Sequence, residues 1–407
     1  MKHTIPYSSI IVTGSISWDI IMDFPNKFVD YLQPDMLHQI NVSFVVNTLE
    51  KQMGGTGTNI SFAVSQAAKL MSNIKSQISN VKSPFEKAQG KQTAKQILGN
   101  KYLERHPELD SGSSQRSRNK FGMTNQLVQH DIDIFLLGGI GKDGKEQMKF
   151  FKKHGISTDG IVVDKNLYCA SGTVITDMKD NQIWGFYYGA CTRGKDVDFK
   201  RFVKKDSIMI ISANHPDAFL KAQQYAIKHN IAYMYDCGMA MSWIQKKDLE
   251  QGIKNCRWLV GNDYEIKLIC KTIGKTVKDL ISMGIEVITT LGEKGVHYEY
   301  AIDSAADLLP ASAQQASARV GGPLRPRHLS HNTAHIPAYP VKKVVDPTGA
   351  GDAWRGGFLA AFCSGADIET CLKIGNVMAS FAIELYGTVN YKVNKKEFKK
   401  RMREVGD

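Results

Sequence analysis

The 407-residue sequence lacks the features that mark several protein classes. No apolar run approaches the roughly 18 residues of a membrane-spanning helix. The first fifteen residues contain no long apolar segment ending in small residues, as a signal peptide would, and we interpret them as leading into a first strand. The seven cysteines are scattered, without a C-x-x-C pair, which argues against a zinc ribbon or a secreted disulfide framework. We therefore expect a cytoplasmic protein with no membrane partner.

Several catalytic signatures are also missing from the sequence. There is no G-x-x-x-x-G-K-[ST] phosphate loop, no G-x-S-x-G and no H-E-x-x-H. Residues 139–144 do satisfy the dinucleotide pattern G-x-G-x-x-G, but they lie in the middle of the chain, contain Asp143 and follow no βαβ unit. These absences exclude a Walker-type ATPase and argue against a nicotinamide or flavin enzyme.

The net charge of +12 is concentrated in two places. Residues 74–120 carry +6 and residues 391–407 carry +4, which leaves +2 for the other 343 residues. A nucleic-acid groove spreads Lys and Arg along a folded face with aromatic residues between them. The observed distribution therefore predicts no nucleic-acid partner.

Strand-like apolar runs alternate with amphipathic helices over most of the chain. The predicted strands are Ser9–Thr13, Ile132–Leu137, Ser207–Ile211, Ile231–Tyr235, Trp258–Val260 and Glu286–Thr289. The predicted helices lie near 57–71, 144–154, 215–229, 246–254, 262–270, 350–364 and 367–385. Such alternation is typical of βαβ units, and it predicts an α/β fold with a mostly parallel sheet.

Two stretches interrupt this alternation with β-type runs that no crossover helix connects. One covers residues 16–53 and includes Ile16–Met22 and His38–Val46. The other covers residues 171–188, where Lys179–Asn181 would form the turn of a β-hairpin. Strands without crossovers do not join a parallel sheet easily, so we predict a small separate β-layer.

Two further segments look like insertions. Residues 74–120 are polar and lysine-rich, and residues 304–333 are rich in Ala, Ser, Pro and Arg. Composition favours disordered or loosely helical insertions over a second domain, so we predict one domain spanning residues 1–407. The second segment and its end hold His328, His331 and His335, but no Cys or acidic partner accompanies them. We favour a solvated loop there over a metal site.

The sequence DPTGAGDAW at 346–354 carries the strongest chemical signal, since it follows the strand-like 338–345 and precedes an apolar helix. The backbone N–H groups of Gly349, Ala350 and Gly351 can converge at the start of that helix to bind an anion. Asp352, in the first turn, could accept a proton from a substrate hydroxyl that attacks a phosphoryl group. A glycine-rich loop with a capping Asp is the alternative interpretation.

This stretch resembles the C-terminal G-A-G-D signature of the ribokinase-like (PfkB-type) carbohydrate and nucleoside kinases. Four more stretches resemble motifs of that family in family order: 53–59 (its G-G-x-x-x-N), 139–144 (its G-x-D-x-x-G, although Gly144 follows Asp143 directly), 262–265 (its N-x-x-E) and 290–295 (its T-x-G-x-x-G). The resemblance implies a ribokinase-like three-layer α/β sandwich with a mostly parallel central sheet. The two stretches at about 16–53 and 171–188 would form its β-sheet lid.

The resemblance also assigns roles on the substrate side. It implies that Asp19 binds the ribose 2′- and 3′-hydroxyls, and that Gly54, Gly55 and Asn59 contact the sugar. A side chain at the carboxyl edge of a parallel sheet is well placed for this, and we place Asp19 just after the first strand. An exposed Asp at a strand end is the alternative for Asp19, and a plain helix start is the alternative for residues 54–59.

On the nucleotide side the resemblance implies ATP and Mg²⁺ as cofactors, with K⁺ as a further candidate. Glu265 would order magnesium-bound water, and Asp346 would help to hold a monovalent cation. The remaining nucleotide-binding residues implied by the resemblance are Asn262, Thr290, Gly292 and Gly295. From the residues alone, Asn262 and Glu265 could equally form a helix cap, and residues 290–295 a simple hairpin turn.

Within the family, the stretches 14–28, 38–44, 175–190 and 343–358 look most similar to bacterial and archaeal adenosine (nucleoside) kinases. The resemblance implies phosphorylation of a nucleoside 5′-hydroxyl, most readily that of adenosine, in purine salvage, by a monomer or homodimer. A sugar kinase of the same fold and a catalytically silent nucleoside-binding relative are the alternatives.

Four side chains near the lid have two interpretations each. Arg193 either closes over the phosphates or lies exposed in a loop. Trp184, Phe186 and Phe24 either stack on a base or pack the lid.

Overall fold

The computed structural model describes residues 7–32, 42–71, 132–179, 181–303 and 329–405, with a nine-stranded, mostly parallel sheet at their centre. The described strands, numbered along the chain, are β1 (Ser9–Thr13), β2 (Ser17–Asp23), β3 (Thr48–Gly54), β4 (Asp133–Ile140), β5 (Ile161–Val163), β6 (Ala170–Thr176), β7 (Gln182–Tyr187), β8 (Ser207–Ile211), β9 (Tyr233–Asp236), β10 (Trp258–Asn262), β11 (Glu286–Thr290), β12 (Val296–Asp303) and β13 (Leu329–Ile336). The large sheet has the spatial order β13-β12-β11-β10-β9-β8-β1-β4-β5, and only the pairs β11–β12 and β12–β13 are antiparallel.

Helices cover both faces of this sheet. The described helices are α1 (Thr56–Met71), α2 (Lys145–Lys153), α3 (Pro216–His229), α4 (Lys246–Asn255), α5 (Asp263–Ile273), α6 (Val277–Ser282), α7 (Ala350–Cys363), α8 (Ile368–Ala382) and α9 (Lys395–Glu404). Helices α3 to α6 pack on one face through one apolar cluster. On the opposite face, Phe358 of α7 meets Trp258 of β10 with ring centroids 5.1 Å apart. The predicted three-layer sandwich is confirmed.

The predicted small β-layer is confirmed as a four-stranded sheet of order β3-β2-β6-β7. Strand β2 pairs antiparallel with β3 and parallel with β6, and β6 and β7 form the predicted hairpin. The second strand of this layer was misplaced by the sequence pattern. It lies at Thr48–Gly54, and residues 42–46 of the predicted run His38–Val46 have no regular structure.

Three other predictions need correction or fall outside the described residues. The strand-like run at 338–345 forms no strand, and its Pro340 has no N–H to donate to a strand ladder. Since β13 begins at Leu329, the last five residues of the predicted insertion at 304–333 belong to the sheet. The rest of that insertion and the whole of 74–120 lie outside the described residues.

The histidine pair of β13 has a partner in the neighbouring strand. His331 Nε2 lies 2.9 Å from a Glu299 carboxylate oxygen, and the rings of His335 and His297 are 6.5 Å apart. Both predicted histidines are therefore in a strand and not in a loop, while His328 lies outside the described residues. Within the described part of the chain, no three His, Cys, Asp or Glu side chains form a metal-binding group. No described helix is long and apolar enough to cross a membrane.

Candidate active site

A cavity of about 870 Å³ lies at the carboxyl ends of the central strands. Strand β1 pairs with β4 on one side and with β8 on the other, so the direction of strand succession reverses beside β1. Open α/β sheets bind ligands at such a switch point, where the flanking loops diverge. Ser15, which follows β1, and Asn214, which follows β8, both line the cavity.

The G-A-G-D turn forms one wall of this cavity. Gly349 adopts a positive φ of 77°, which lets the chain turn directly into helix α7. The Ala350 N–H donates to the Pro347 carbonyl at 3.2 Å, whereas no acceptor within the described residues is found for the N–H groups of Gly349, Gly351 and Asp352. Free N–H groups at a helix N-terminus favour an anion, so the turn is suited to a phosphoryl group.

Asn59 holds the Asp352 carboxylate from the facing helix. The Asn59 side-chain N–H donates to Asp352 Oδ2 at 2.8 Å, and Thr388 Oγ1 lies 2.7 Å from Asn59 Oδ1 and 3.0 Å from the Met53 carbonyl. Helices α1 and α7 approach closely because residue 356 is glycine: a Cβ there would lie 2.4 Å from that of Ala63. This contact brings the two predicted motifs of Asn59 and Asp352 together.

Asp19 lies across the cavity on strand β2, within the small sheet and not just after the first strand as predicted. The register places Asp19 opposite Gly172 of β6, and Gly172 opposite Phe186 of β7. A Cβ on Gly172 would lie 3.3 to 3.6 Å from Trp184, Asp19 and Phe186, so the missing side chain leaves a groove between a carboxylate and two rings. Gly54 lies directly against the Asp19 carboxylate.

The two carboxyl groups facing the cavity have altered acidity. Burial raises the pKa of Asp352 to about 7, with the positive charge of Arg355 acting against it and the negative charge of Asp236 adding to it. Burial likewise raises the pKa of Asp19 to about 6. A carboxyl group with a pKa near neutral pH suits a general base, because it is both ionised and basic at the working pH.

The predicted nucleotide motif caps helix α5 at the edge of the cavity. Asn262 Oδ1 accepts from the Glu265 N–H, and Glu265 Oε2 accepts from the Asn262 N–H, both at 2.8 Å. The alternative interpretation as a capping pair is therefore realised, yet both side chains also line the cavity, as do Thr290 and Gly292. Capping fixes the Glu265 carboxylate at a defined position on the cavity wall.

Several predicted residues do not line the cavity. They are Ala350, Gly54, Gly295, Asp346, Arg193 and Phe24. Asp346 oxygens accept the N–H groups of Thr348 (2.9 Å) and Gly387 (3.0 Å), and Gly295 packs against the end of β13. Arg193 pairs with Asp164 and Asp196, which does not support closure over phosphates. Phe24 packs against Phe28 inside the lid, while Trp184 and Phe186 line the cavity.

Sequence reasoning missed other cavity residues. Asp236, at the end of β9, and Arg355, one turn into α7, form a buried ion pair at 2.7 Å. Tyr188 and Trp243 also line the cavity. Asp236 is the last residue of the strand YMYD, directly after the predicted run Ile231–Tyr235, so its position at a strand's carboxyl end was a readable signal. Arg355 lies three residues after Asp352 in the predicted helix 350–364, and this spacing was also a readable signal.

The donor set of the cavity fits Mg²⁺ that arrives with a phosphate ligand. Among the lining residues are five carboxylates and one cationic side chain, Arg355, so a polyanion needs an added positive charge to enter. Mg²⁺ is commonly held by one or two carboxylates, substrate phosphates and water, without a dedicated protein cage. Glu265 and its neighbour Asp263 are suitably placed carboxylates.

Comparison with known proteins finds one matching family and several similar kinases. The family described as "pfkB family carbohydrate kinase" matches residues 123–395, well over half of the chain. A nucleoside kinase of Methanothermobacter thermautotrophicus is 27% identical over 298 residues, covering 70% of this chain and 86% of the relative. A nucleoside kinase of Methanocaldococcus jannaschii is 26% identical over 258 residues, covering 63% and 75%.

Solved structures share the fold. The Burkholderia thailandensis nucleoside kinase in complex with inosine has a TM-score of 0.66 at 21% identity, with 97% of each chain covered. The M. jannaschii nucleoside kinase, described as an archaeal member of the ribokinase family, has a TM-score of 0.66 at 20% identity, with 98% of each chain covered. These similarities confirm the predicted ribokinase-like architecture.

Proposed function

The chain belongs to the pfkB family of carbohydrate kinases, and on that premise we propose that it is an ATP-dependent kinase for the 5′-hydroxyl of a nucleoside, adenosine first among them. Membership of the family makes the protein a phosphotransferase with an alcohol acceptor. The names of its relatives support the finer assignment, since they include nucleoside kinases and an adenosine kinase of Schizosaccharomyces pombe that is 21% identical over 230 residues.

One observation carries the proposal of a nucleoside: the row of Asp19, Gly172 and Phe186 across three strands of the small sheet. A carboxylate accepts hydrogen bonds from two vicinal ribose hydroxyls, and an aromatic ring stacks on a base. The open space at Gly172 lies between the carboxylate and the ring, so a ribose at Asp19 would leave its base at Phe186. A free sugar would use the carboxylate and leave the rings without a partner.

The reaction assigned to the opposite wall is transfer of the γ-phosphoryl group of ATP. Asp352 Oδ atoms would accept the proton of the attacking 5′-hydroxyl, while Asn59 holds that carboxylate in place. The free N–H groups of Gly349, Gly351 and Asp352 would stabilise the charge on the transferring group. The sequence suggested the N–H groups of residues 349–351, but the Ala350 N–H already donates to the Pro347 carbonyl and is not free for this role.

The nucleotide would occupy the part of the cavity lined by Asn262, Glu265, Thr290 and Gly292. Mg²⁺ bound there with the nucleotide would neutralise phosphate charge. Glu265 would hold its water, as its fixed position on the cavity wall allows. K⁺ is proposed at the turn of Asp346, whose carboxylate oxygens each keep a lone pair beyond the N–H bonds that they accept.

A panel of acceptors tests this function. Adenosine, inosine, cytidine, ribose and fructose would each be incubated with the full-length protein and Mg·ATP, with and without potassium, and the phosphorylated products measured. We expect nucleosides to be turned over with kcat/KM at least about tenfold above the free sugars, because only they fill both halves of the groove.

Two results of the panel would contradict the proposal. Selective turnover of ribose or fructose would make the protein a sugar kinase of the same fold. Nucleoside binding with no phosphoryl transfer to any acceptor would make it a silent relative. Unchanged rates without potassium would remove the cation assigned to the turn of Asp346 and leave the kinase assignment intact.

A further inference from the structure

A buried ion pair next to the proposed base has no role in the function described so far. Arg355 Nη2 lies 2.7 Å from Asp236 Oδ1, and the side chains are 7% and 4% exposed. Ser212 Oγ donates to the other Asp236 oxygen at 2.8 Å, which fixes that carboxylate on strand β9's side of the cavity. Helix α7 otherwise buries apolar side chains such as Trp354 and Phe358 toward the core.

Stability alone does not explain such a pair. Taking two charges out of water costs about as much as their attraction returns, and apolar side chains of similar volume are often as stable. The pair is also not in the middle of the core: both residues line the cavity that holds Asp352 and Asp19. A charge kept at the edge of a ligand cavity acts on the other charges there.

Arg355 is placed to act on Asp352. The two residues are three apart on α7, so they share one helix face. The guanidinium group lies against the G-A-G-D turn, since a Cβ on Gly351 would be 2.7 Å from Arg355 Nη1. Its Nε is buried with no hydrogen-bond partner in the described part of the chain, so the pair with Asp236 leaves part of its charge unmatched.

We propose that Arg355, anchored by Asp236 and Ser212, is a positioning residue that keeps Asp352 ionised as the proton acceptor. The proposal rests on the role of Asp352 in the proposed function. Its physical basis is the charge balance of the cavity, where Arg355 is the only Lys or Arg among the lining residues of the described chain.

Without Arg355, the charged groups around Asp352 would all oppose its ionisation. They are Asp236 on β9 and Asp19 on β2, while Glu265 on α5 faces the Arg355 side and Tyr391 lies near Asp352 as a neutral phenol. Burial already raises the pKa of Asp352 to about 7, and Arg355 is the strongest influence that lowers it. Loss of that charge would leave most of the base protonated at neutral pH.

The two halves of the pair therefore make opposite predictions. In Arg355→Gln, the acid limb of the pH profile of kcat/KM should move to higher pH by about one unit or more. At pH values below the limb, kcat/KM should therefore fall about tenfold. In Asp236→Asn, the limb should move to lower pH by a smaller amount, because Asp236 acts on Asp352 less strongly than Arg355 does. A purely structural pair would lower activity in both variants without moving either limb.

Two further variants keep the proposal testable if Arg355→Gln or Asp236→Asn does not fold. Arg355→Lys keeps the charge and should restore the wild-type limb, even where it lowers thermal stability. The double variant Arg355→Gln/Asp236→Asn removes both charges but keeps two groups that can hydrogen-bond. Because Arg355 acts on Asp352 more strongly than Asp236 does, the limb of the double variant should lie above that of the wild type and below that of Arg355→Gln.

A measurement on the ligand-free protein makes the test independent of turnover. The carboxyl resonance of Asp352, labelled with ¹³C and assigned by its loss in Asp352→Asn, would be titrated in wild type, Arg355→Lys and the double variant. An unmoved limb in folded Arg355→Gln, shifts of the same sign in both single variants, or an Asp352 titration unchanged in the double variant would each overturn the proposal. Full activity of Asp352→Asn would instead overturn the assignment of the base.

Discussion

The two sheets of the molecule bury their side chains to very different extents. In the large sheet, all five residues of β1 and all five of β8 are buried. In the small sheet, all six residues of β7 are exposed, and Trp184 is 55% exposed. A strand buried on both faces is fixed by packing, whereas large apolar side chains left in solvent mark a surface that a ligand or partner covers.

This difference matches the two tasks that the proposed function gives to the cavity walls. The wall made by the large sheet and its helices carries Asp352, Asn59 and Arg355, which are already hydrogen-bonded or ion-paired. Groups that are fixed in advance cost no reorganisation during the reaction. The wall made by the small sheet carries Asp19, Trp184 and Phe186, whose rings have little cover without a substrate. The proposed function therefore assigns chemistry to the rigid wall and substrate selection to the open one.

The largest effect is expected from Asp352→Asn on the rigid wall. An amide cannot accept the hydroxyl proton, so kcat should fall by about 10²- to 10⁴-fold. Binding of the nucleoside should change little, because Asp19 and the lid rings are untouched. Steady-state kinetics and a nucleoside titration would check both parts.

A matched control for this variant is Asp367→Asn. Asp367 caps helix α8 by accepting the Thr370 N–H at 2.8 Å, and asparagine caps a helix equally well. Its kcat should therefore equal that of the wild type. A drop in both variants would point to a general effect of losing a carboxylate, and an active Asp352→Asn would remove the proposed base.

A pair of Phe→Ala substitutions compares the two sheets directly. Phe358 is fully buried between Trp258 and Trp354, so Phe358→Ala should lower the free energy of unfolding by about 3–5 kcal/mol. Phe186 is 40% exposed, and Phe186→Ala should cost less than about 1 kcal/mol. Denaturant unfolding of both variants would check this. Equal losses would show that the lid is as tightly packed as the core.

A dependence of stability on pH follows from the raised pKa of Asp352. The folded protein holds this proton up to about pH 7, whereas the unfolded chain releases it near its ordinary value of 3.8. The contribution of Asp352 to wild-type stability should therefore decline as pH rises from about 4 to about 7. Asp352→Asn removes this effect and should be more stable than wild type at pH 8, by about 2–4 kcal/mol.

Thermal unfolding at pH 4.5 and pH 8 would test the sign of this effect. The difference between Asp352→Asn and wild type should be large at pH 8 and small at pH 4.5. Asp367→Asn should show no such dependence on pH. A variant less stable than wild type at pH 8 would mean that the folded protein stabilises the Asp352 carboxylate and does not penalise it.

The strands of the large, buried sheet were easier to predict from the sequence than those of the small, exposed sheet. Buried strands such as Ser9–Thr13 and Ser207–Ile211 were found at their full lengths, since uninterrupted apolar runs bounded by polar residues leave few alternatives. The lid strand Thr48–Gly54 was missed, because Glu50, Lys51 and Gln52 give it no apolar pattern. Half-exposed strands depend on their pairing partners, which a local pattern does not contain.

The candidate site was predictable where a motif carried it. Asp352, Asn59, Asn262 and Glu265 lie in short patterns, and the structure brings all four to one cavity. Arg355 was not predicted, because its proposed role depends on contact with Asp236, 119 positions earlier in the chain. Pairing between distant residues is decided by the strand order, and a single sequence does not state that order.

The smallest predicted effect concerns the open wall and tests its role in substrate selection. Trp184→Ala should raise KM for adenosine by about tenfold, because stacking of an aromatic side chain on a base is worth about 1–3 kcal/mol. KM for ATP and thermal stability should stay unchanged, since Trp184 is 55% exposed and lies on the substrate side. Ile183→Ala is the matched control, because Ile183 is also exposed on β7 but points to the other face of the sheet. Equal effects of the two variants on KM would show that the rings pack the lid and do not bind the base.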